Sequence, residues 1–347
     1  MKKVLLSLLL VLVTAISCTG DKGIITSPES WTFAVITDTQ GARGLDRSLA
    51  MNKPIVEKIA ADIVKLNPDL VLVSGDLVSG WSMHATIEYD KQYAQWKETM
   101  KPVYDAGIRV YPVRGNHDSG PERLVQSDRP RRNNWEPPPK GTEAKIRAAF
   151  LNAFKEYSYI PSNGPKGEAR LEYSFEHKNA FFIGMDTYND NGGQHRINLD
   201  WVTKQLTGNT KPHVFVYGHE PAFEMLHRDN LSYYPEERDK FWDTLGASGG
   251  RIYFCGHDHV YNRALIKDSA GNELRQIIVS SGGGSLRKWK GTYKDSKVKN
   301  EFYNLDYHGY MIVTITDDKA TIQWRALTNI EKGSWKIKDS FSYKAAR

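Results

Sequence analysis

The chain has 347 residues, of which 40% are hydrophobic and 25% charged, and its formal net charge is +6. The small basic excess, part of which lies in residues 288–299, favours the attraction of anionic substrates. It does not indicate a nucleic-acid-binding protein, because the sequence shows no basic helix or aromatic strand face of the usual kinds. No repeat, low-complexity block or linker divides the chain after its N-terminal segment, so we predict one domain.

Residues 1–17 are predicted to be a signal peptide of the lipoprotein type. Lys2 and Lys3 precede an apolar stretch that is too short to span a bilayer, and small residues follow it before Cys18. Cys18 is the predicted lipid-anchoring residue, and residues 18–30 would form a tether. This predicts an exported lipoprotein anchored to a membrane of a bacterial cell envelope. Ordinary signal cleavage that leaves a free Cys18 is the alternative.

Strand and helix patterns alternate from residue 31 onward, which predicts an α/β fold. Strands are predicted at residues 31–37, 70–74, 108–113, 171–175, 181–185, 213–217, 251–255, 276–280, 310–316 and 320–327. Apolar residues at helical spacing predict helices at residues 54–66, 88–104, 143–157, 198–206 and 236–245.

Five short polar clusters follow five of these strand patterns. They are Asp38-Thr39-Gln40, Gly75-Asp76, Gly115-Asn116-His117-Asp118, Gly218-His219 and Gly256-His257-Asp258-His259. Each alone is weak evidence, because many strands end in a glycine and a polar residue. Together they bring carboxylates, imidazoles and amide oxygens to the edge of an α/β sheet where ligands bind. Such a set predicts two divalent cations and the cleavage of phosphate esters.

The five clusters resemble the signature of the calcineurin-like metallophosphoesterase superfamily. The resemblance implies a four-layer α/β/β/α sandwich of two mixed β-sheets, with the domain over residues 31–327 and a C-terminal extension over residues 328–347. The family pattern opens with Asp-x-His, but its third position here is Gln40. An amide oxygen in place of an imidazole nitrogen shifts that site toward Mn or Fe and away from Zn.

The resemblance also implies the metal ligands. One divalent ion (Mn, Fe or Zn) would be held by Asp38, Gln40, Asp76 and His259, and the other by Asp76, Asn116, His219 and His257. Asp76 would bridge the two ions, and a hydroxide held between them would attack the phosphorus atom.

His117 is the predicted catalytic residue beside these ligands. By the same resemblance it faces the substrate, where it would protonate the leaving group or stabilise its charge. In many relatives an acid three residues after the bridging aspartate orients this histidine, but Ser79 stands at that position. Asp118 or a backbone carbonyl is the expected substitute, so Asp118 is included among the predicted catalytic residues.

Other segments near the motifs have less specific signals. Arg131 and Arg132, in the long loop of residues 119–141, are predicted to bind substrate, because guanidinium groups bind phosphate bidentately; a solvated loop is the alternative. The sequence Gly282-Gly283-Gly284 lacks the residues of a P-loop and is predicted to let the backbone approach the site closely or turn sharply. Structural roles are predicted for the histidines outside the motifs, which are His177, His195, His213, His227 and His308.

The sequence therefore predicts a metal-dependent hydrolase of phosphomonoesters or phosphodiesters, with a small phosphate ester as substrate. A nucleotide pyrophosphatase of the same fold is one alternative. A non-catalytic surface lipoprotein that retains the fold is another alternative. A protein that had lost its activity should, however, also have lost at least one of the metal ligands. No nucleic acid is expected as a partner, beyond nucleotides as substrates.

Overall fold

The computed structural model describes residues 30–41, 49–80, 88–120, 141–189 and 193–345. The predicted signal peptide, Cys18 and nearly all of the predicted tether lie outside these residues, as do Arg131 and Arg132. Among the described residues, none of the helices combines the length and the apolar character needed to cross a membrane.

The described residues form two large sheets, one short ribbon and several helices. The strands in chain order are β1 (Ser30–Ile36), β2 (Leu70–Ser74), β3 (Arg109–Val113), β4 (Tyr173–His177), β5 (Ala180–Gly184), β6 (Tyr188–Asn189), β7 (Gly193–Gln194), β8 (His213–Tyr217), β9 (Ile252–Cys255), β10 (Tyr261–Lys267), β11 (Glu273–Ile278), β12 (Val298–Asn304), β13 (Gly309–Thr316), β14 (Lys319–Asn329) and β15 (Ser334–Lys344). The helices are α1 (Lys53–Leu66), α2 (Tyr89–Asp105), α3 (Asn116–Ser119), α4 (Thr142–Ala153), α5 (Leu199–Thr207) and α6 (Pro235–Ala247), with a 3₁₀ turn at Leu231–Tyr233.

Both large sheets are mixed. The first has the strand order β15-β14-β13-β1-β2-β3, and the second has the order β12-β10-β11-β9-β8-β5-β4. Strands β1, β2 and β3 are parallel to one another, as are β5, β8, β9 and β11. Because the carboxyl ends of parallel strands lie at the same edge of a sheet, each sheet delivers several loops to one side of the molecule.

The two sheets pack face to face through aromatic side chains. The ring of Phe33, on β1, lies 5.3 Å from Phe182, 4.9 Å from Phe215 and 6.3 Å from Phe254, all of which belong to the second sheet. Helices α1, α2 and α4 cover the outer face of the first sheet, and α5 and α6 cover that of the second. The predicted α/β/β/α sandwich is confirmed.

The C-terminal boundary of the predicted domain needs correction. The residues assigned to an extension, 328–347, include β15, which pairs antiparallel with β14 along nearly its whole length and forms an edge of the first sheet. Most side chains of β15 are exposed or half-buried; Asp339 is buried, and Trp335, Phe341 and Tyr343 pack partly against the core. The apolar residues Trp335, Ile337, Phe341 and Tyr343 alternate with polar ones, as is typical of a half-buried strand, but Asp339 interrupts the pattern and no continuous apolar run marks it.

Asp339 links this edge strand to the second sheet. Its carboxylate accepts hydrogen bonds from the Tyr261 hydroxyl at 2.8 Å and from the guanidinium of Arg263 at 2.8 and 3.1 Å. All three groups are largely buried, since Asp339 is 8% exposed and Tyr261 0%. The Asp339 carboxylate therefore joins the edge of the first sheet to β10 of the second by accepting hydrogen bonds from Tyr261 and Arg263.

We expect Asp339→Ala to lower the free energy of unfolding by about 2–3 kcal/mol, because the substitution removes the acceptor of the buried Tyr261 hydroxyl and one of the two carboxylate partners of Arg263, which keeps Glu301. Urea unfolding measures this change. The matched control is Asp318→Ala, which removes an exposed carboxylate paired with Lys344 at 3.2 Å and should change stability by no more than about 0.5 kcal/mol. Equal effects of the two substitutions would contradict this role for Asp339.

Candidate metal centre

The predicted ligands leave their strands at the same edge of the sandwich. The segments after β1, β2, β3, β8 and β9 carry, in that order, Asp38, Asp76, Asn116, His219 and the pair His257 and His259. Four of these residues have a left-handed backbone, with φ of 53° at Asp38, 53° at Asp76, 74° at His257 and 54° at His259. Residues other than glycine rarely adopt this conformation, and such strain is concentrated at functional sites.

Asp38, Asp76 and His259 form one group. One ligand atom from each lies within 4.8 Å of the others. The Gln40 side-chain nitrogen lies 2.9 Å from Asp76 Oδ2 and 2.9 Å from His259 Nε2, whereas Gln40 Oε1 is buried without a hydrogen-bond partner. Rotating the amide by half a turn would exchange the two atoms and direct the orphaned oxygen at this group, which is the orientation that a cation requires.

Asn116, His219 and His257 form a second group. Asn116 Oδ1 lies 3.0 Å from His219 Nε2 and 3.1 Å from His257 Nδ1. Asp76 Oδ2 lies 3.4 Å from the same nitrogen of His219 and also contacts Gln40 of the first group. The carboxylate of Asp76 therefore lies between the two groups, in the position that a bridging ligand needs.

The electrostatics of the centre favour bound cations. Burial lowers the pKa of His219, but the carboxylate of Asp76 raises it, to about 9. Burial also lowers the pKa of His257, whereas Asp229 raises it, to about 10. The buried carboxylate of Asp76 and the half-buried carboxylate of Asp229 thus favour positive charge on two imidazole rings. Divalent cations would supply this charge in place of the protons, so the residues present fit two such ions.

His117 lies beside the ligands and is held in one orientation. Its Nδ1 is 2.7 Å from the carbonyl oxygen of Ser79, and its backbone N–H donates to Asp76 Oδ1 at 2.9 Å. Because a carbonyl only accepts hydrogen bonds, Nδ1 carries a proton and Nε2 faces the centre, 3.9 Å from Asp76 Oδ2. The backbone carbonyl of Ser79 thus takes the place of the acid that orients this histidine in relatives.

Asp118 does not orient His117, whose Nδ1 binds the Ser79 carbonyl instead, so the prediction of Asp118 as a catalytic residue is corrected. Its carboxylate is buried and accepts hydrogen bonds from the backbone N–H groups of Leu77 and Gly115 at 3.1 and 3.0 Å, and from the Tyr93 hydroxyl at 3.2 Å. Burial, with the nearby charge of Asp76, raises its pKa to about 7. Asp118 thus links the loops after β2 and β3 and helps to position the ligands that these loops carry.

Glycine is required where these loops approach one another. A Cβ on Gly115 would lie 2.2 Å from Asp76 Oδ1, and a Cβ on Gly256 would lie 2.3 Å from Asp38 Oδ2. The predicted close approach of residues 282–284 is confirmed, since a Cβ on Gly282 would lie 2.2 Å from the carbonyl oxygen of Thr37. Any side chain at these positions would displace a ligand or its strand.

Sequence reasoning assigned no role to three acidic residues around the centre. Asp229 Oδ2 lies 3.4 Å from His257 Nε2, the nitrogen that faces away from Asn116. Asp258 and Glu220 bind two histidines outside the motifs, His227 at 2.8 Å and His195 at 2.5 Å. His227 also lies at the centre, since its ring is 4.6 Å from that of His257. No local pattern marks these contacts, because they join separate loops.

The sequence profile described as calcineurin-like phosphoesterase matches residues 32–261. The search of curated proteins found no match. The structure resembles a purple acid phosphatase from yellow lupin (Lupinus luteus) seeds, with a TM-score of 0.65 and 14% identity over 92% of this chain and 54% of that one. The chain therefore spans about half the length of the lupin protein.

Two further solved structures share the fold. PhoD has a TM-score of 0.63 and 16% identity over 92% of this chain and 70% of its own. A dimetal phosphatase from Danio rerio has a TM-score of 0.57 and 13% identity over 91% of this chain and 99% of its own. At these identities the likeness is one of fold. The sequence profile, however, spans more than half of the residues, and the chain belongs to the calcineurin-like phosphoesterase family.

Proposed function

We propose that the protein is a metal-dependent hydrolase of phosphomonoesters or phosphodiesters. The observation that carries the proposal is the position of Asp76, whose carboxylate contacts both groups of candidate ligands and also accepts the backbone N–H of His117. A single carboxylate thus connects the two candidate cation sites with the candidate proton donor. The full set of ligand side chains favours this function over that of a non-catalytic protein with the same fold.

Two divalent cations bound here would polarise the phosphoryl oxygens and lower the pKa of a water molecule between them. The chain's own residues would place them: Asp38, Gln40 and His259 on one side, and Asn116, His219 and His257 on the other, with Asp76 shared. His117 supplies the proton chemistry. With Nδ1–H held on the Ser79 carbonyl, a proton on Nε2 can pass to the leaving oxygen as its bond to phosphorus breaks.

We expect Asp76→Asn to remove both measurable metal binding and turnover. The amide keeps the volume of the side chain but cannot offer two anionic oxygens to two cations. Metal content by mass spectrometry of the purified protein, and hydrolysis of p-nitrophenyl phosphate with added Mn, test this expectation. Asp200→Asn, an exposed change on α5, serves as the matched control and should leave both values unchanged. Two bound metals with normal turnover in Asp76→Asn would be incompatible with the proposal.

His117→Ala should retain the metal content of the wild type and lower turnover by roughly 10²- to 10⁴-fold, the range for loss of a positioned proton donor. The loss should be larger for an alkyl phosphate than for p-nitrophenyl phosphate, because nitrophenolate leaves readily without a proton. The ratio of kcat values for the two esters measures the difference. An equal loss on both esters would argue against His117 as the donor, and loss of metal would make it a ligand.

Gln40→His should shift the metal preference toward Zn, since an imidazole suits Zn better than an amide oxygen does. The Mn to Zn ratio of protein reconstituted in a mixture of both ions measures the shift. Gln92→His, which changes a buried glutamine that binds Gly80 outside the centre, provides the comparison. An unchanged ratio in Gln40→His would place Gln40 outside the metal coordination.

A further inference from the structure

A basic segment of the chain leaves the metal centre directly. The N–H of Gly284 donates to the carbonyl of Asp38 at 2.8 Å, and the N–H of Arg287 donates to the carbonyl of His259 at 3.1 Å. Between these bonds, the carbonyl oxygen of Ser285 lies 3.1 Å from His259 Nδ1. The backbone of residues 284–287 is therefore bound to two candidate ligands, and the side chains that follow begin at the edge of the centre.

This segment carries most of the net charge of the protein. Residues 285–299 contain six basic residues and one acidic residue, a net charge of +5, whereas the whole chain has +6. Arg287, Lys288 and Lys290 are the basic residues nearest to the centre along the chain, and all three are exposed. Within the described part of the chain, none of the three forms an ion pair. We call these three residues the cationic rim.

The rim is held on an ordered aromatic support. Trp289, between the two lysines, packs against the core of the second sheet and makes edge contacts at 5.2 Å with Tyr293 and at 5.2 Å with Tyr303. The hydroxyl of Tyr293 lies 2.6 Å from Asn262 Oδ1 on β10. Charges carried on such a fixed backbone lose less entropy when they bind an anion than charges on a mobile loop.

We propose that the cationic rim binds a second anionic group of the substrate, apart from the phosphoryl group that is cleaved. This inference rests on the proposed phosphoesterase function and names its substrate class: phosphate esters with a second phosphate or a comparable anion. Arg287 follows Gly284 by three residues, at most about 11 Å of chain, so a short linker spans the two sites. A guanidinium binds phosphate in a bidentate manner, and the lysines add flexible positive charges.

The test compares hexyl phosphate with 1,6-hexanediol bisphosphate, which differ only in the remote phosphate. For the Mn-loaded wild type we expect kcat/KM to be about tenfold higher for the bisphosphate at low ionic strength, and the preference to decrease as salt is added. In the triple variant Arg287→Gln, Lys288→Gln, Lys290→Gln, the preference should fall to about twofold, the statistical factor for two equivalent phosphates, with hexyl phosphate unaffected.

The matched control replaces three exposed lysines at the opposite end of the sheets, Lys267→Gln, Lys319→Gln and Lys344→Gln, and should keep the tenfold preference. Calorimetric binding of both esters to metal-loaded His117→Ala protein gives the same comparison without turnover. A preference of no more than the statistical twofold in the wild type, or an equal preference in the rim variant and the wild type, would overturn the inference. If the wild type hydrolyses neither ester and also leaves the diester bis(p-nitrophenyl) phosphate intact, the proposed function fails, and the calorimetric comparison still decides whether the rim binds the remote phosphate.

Discussion

The centre is organised around two buried carboxylates that need positive charge beside them. Asp38 is 0% exposed and Asp76 is 1% exposed, and an isolated carboxylate at such a position would be strongly destabilised. Backbone N–H groups satisfy part of this need, since His257 donates to Asp38 and His117 donates to Asp76. Histidine side chains from the second sheet supply more. A divalent cation bound beside these carboxylates would meet the same need for positive charge.

The close approach of these charged groups constrains the sequence and the backbone conformation of the loops that carry them. A ligand can approach its neighbours only if the backbone of adjacent loops is close, so glycine occupies positions such as Gly115 and Gly256, where even one Cβ would overlap a carboxylate. The strained backbone at Asp38 and Asp76 is a second consequence, because both side chains must turn from their strands toward the same point. The aromatic contacts of Phe33 with three strands of the second sheet fix the position of one sheet relative to the other.

The elements that could be predicted from sequence are those with a strong local pattern. The parallel strands β1, β2 and β3 are apolar runs buried along most of their length, and their predicted limits agree with the structure to within a residue or two. Strands β12 and β15 were not predicted, because most of their side chains are exposed or half-buried and their apolar residues form no continuous run. Their pairing depends on a neighbouring strand that is already in place, which a local pattern does not report.

The sequence by itself determined the chemistry of the centre: carboxylates, imidazoles and amides follow successive buried strands, and parallel strands must end at one edge. Only the tertiary structure decided how the polar groups pair. It gave the orientation of His117 to the carbonyl of Ser79, directed Asp118 into the protein, and brought Asp229 to His257. These are contacts between distant loops at distances of a few ångströms. Residue type limits which polar groups can form hydrogen bonds or ion pairs, but the packing of the two sheets determines which of these groups come into contact.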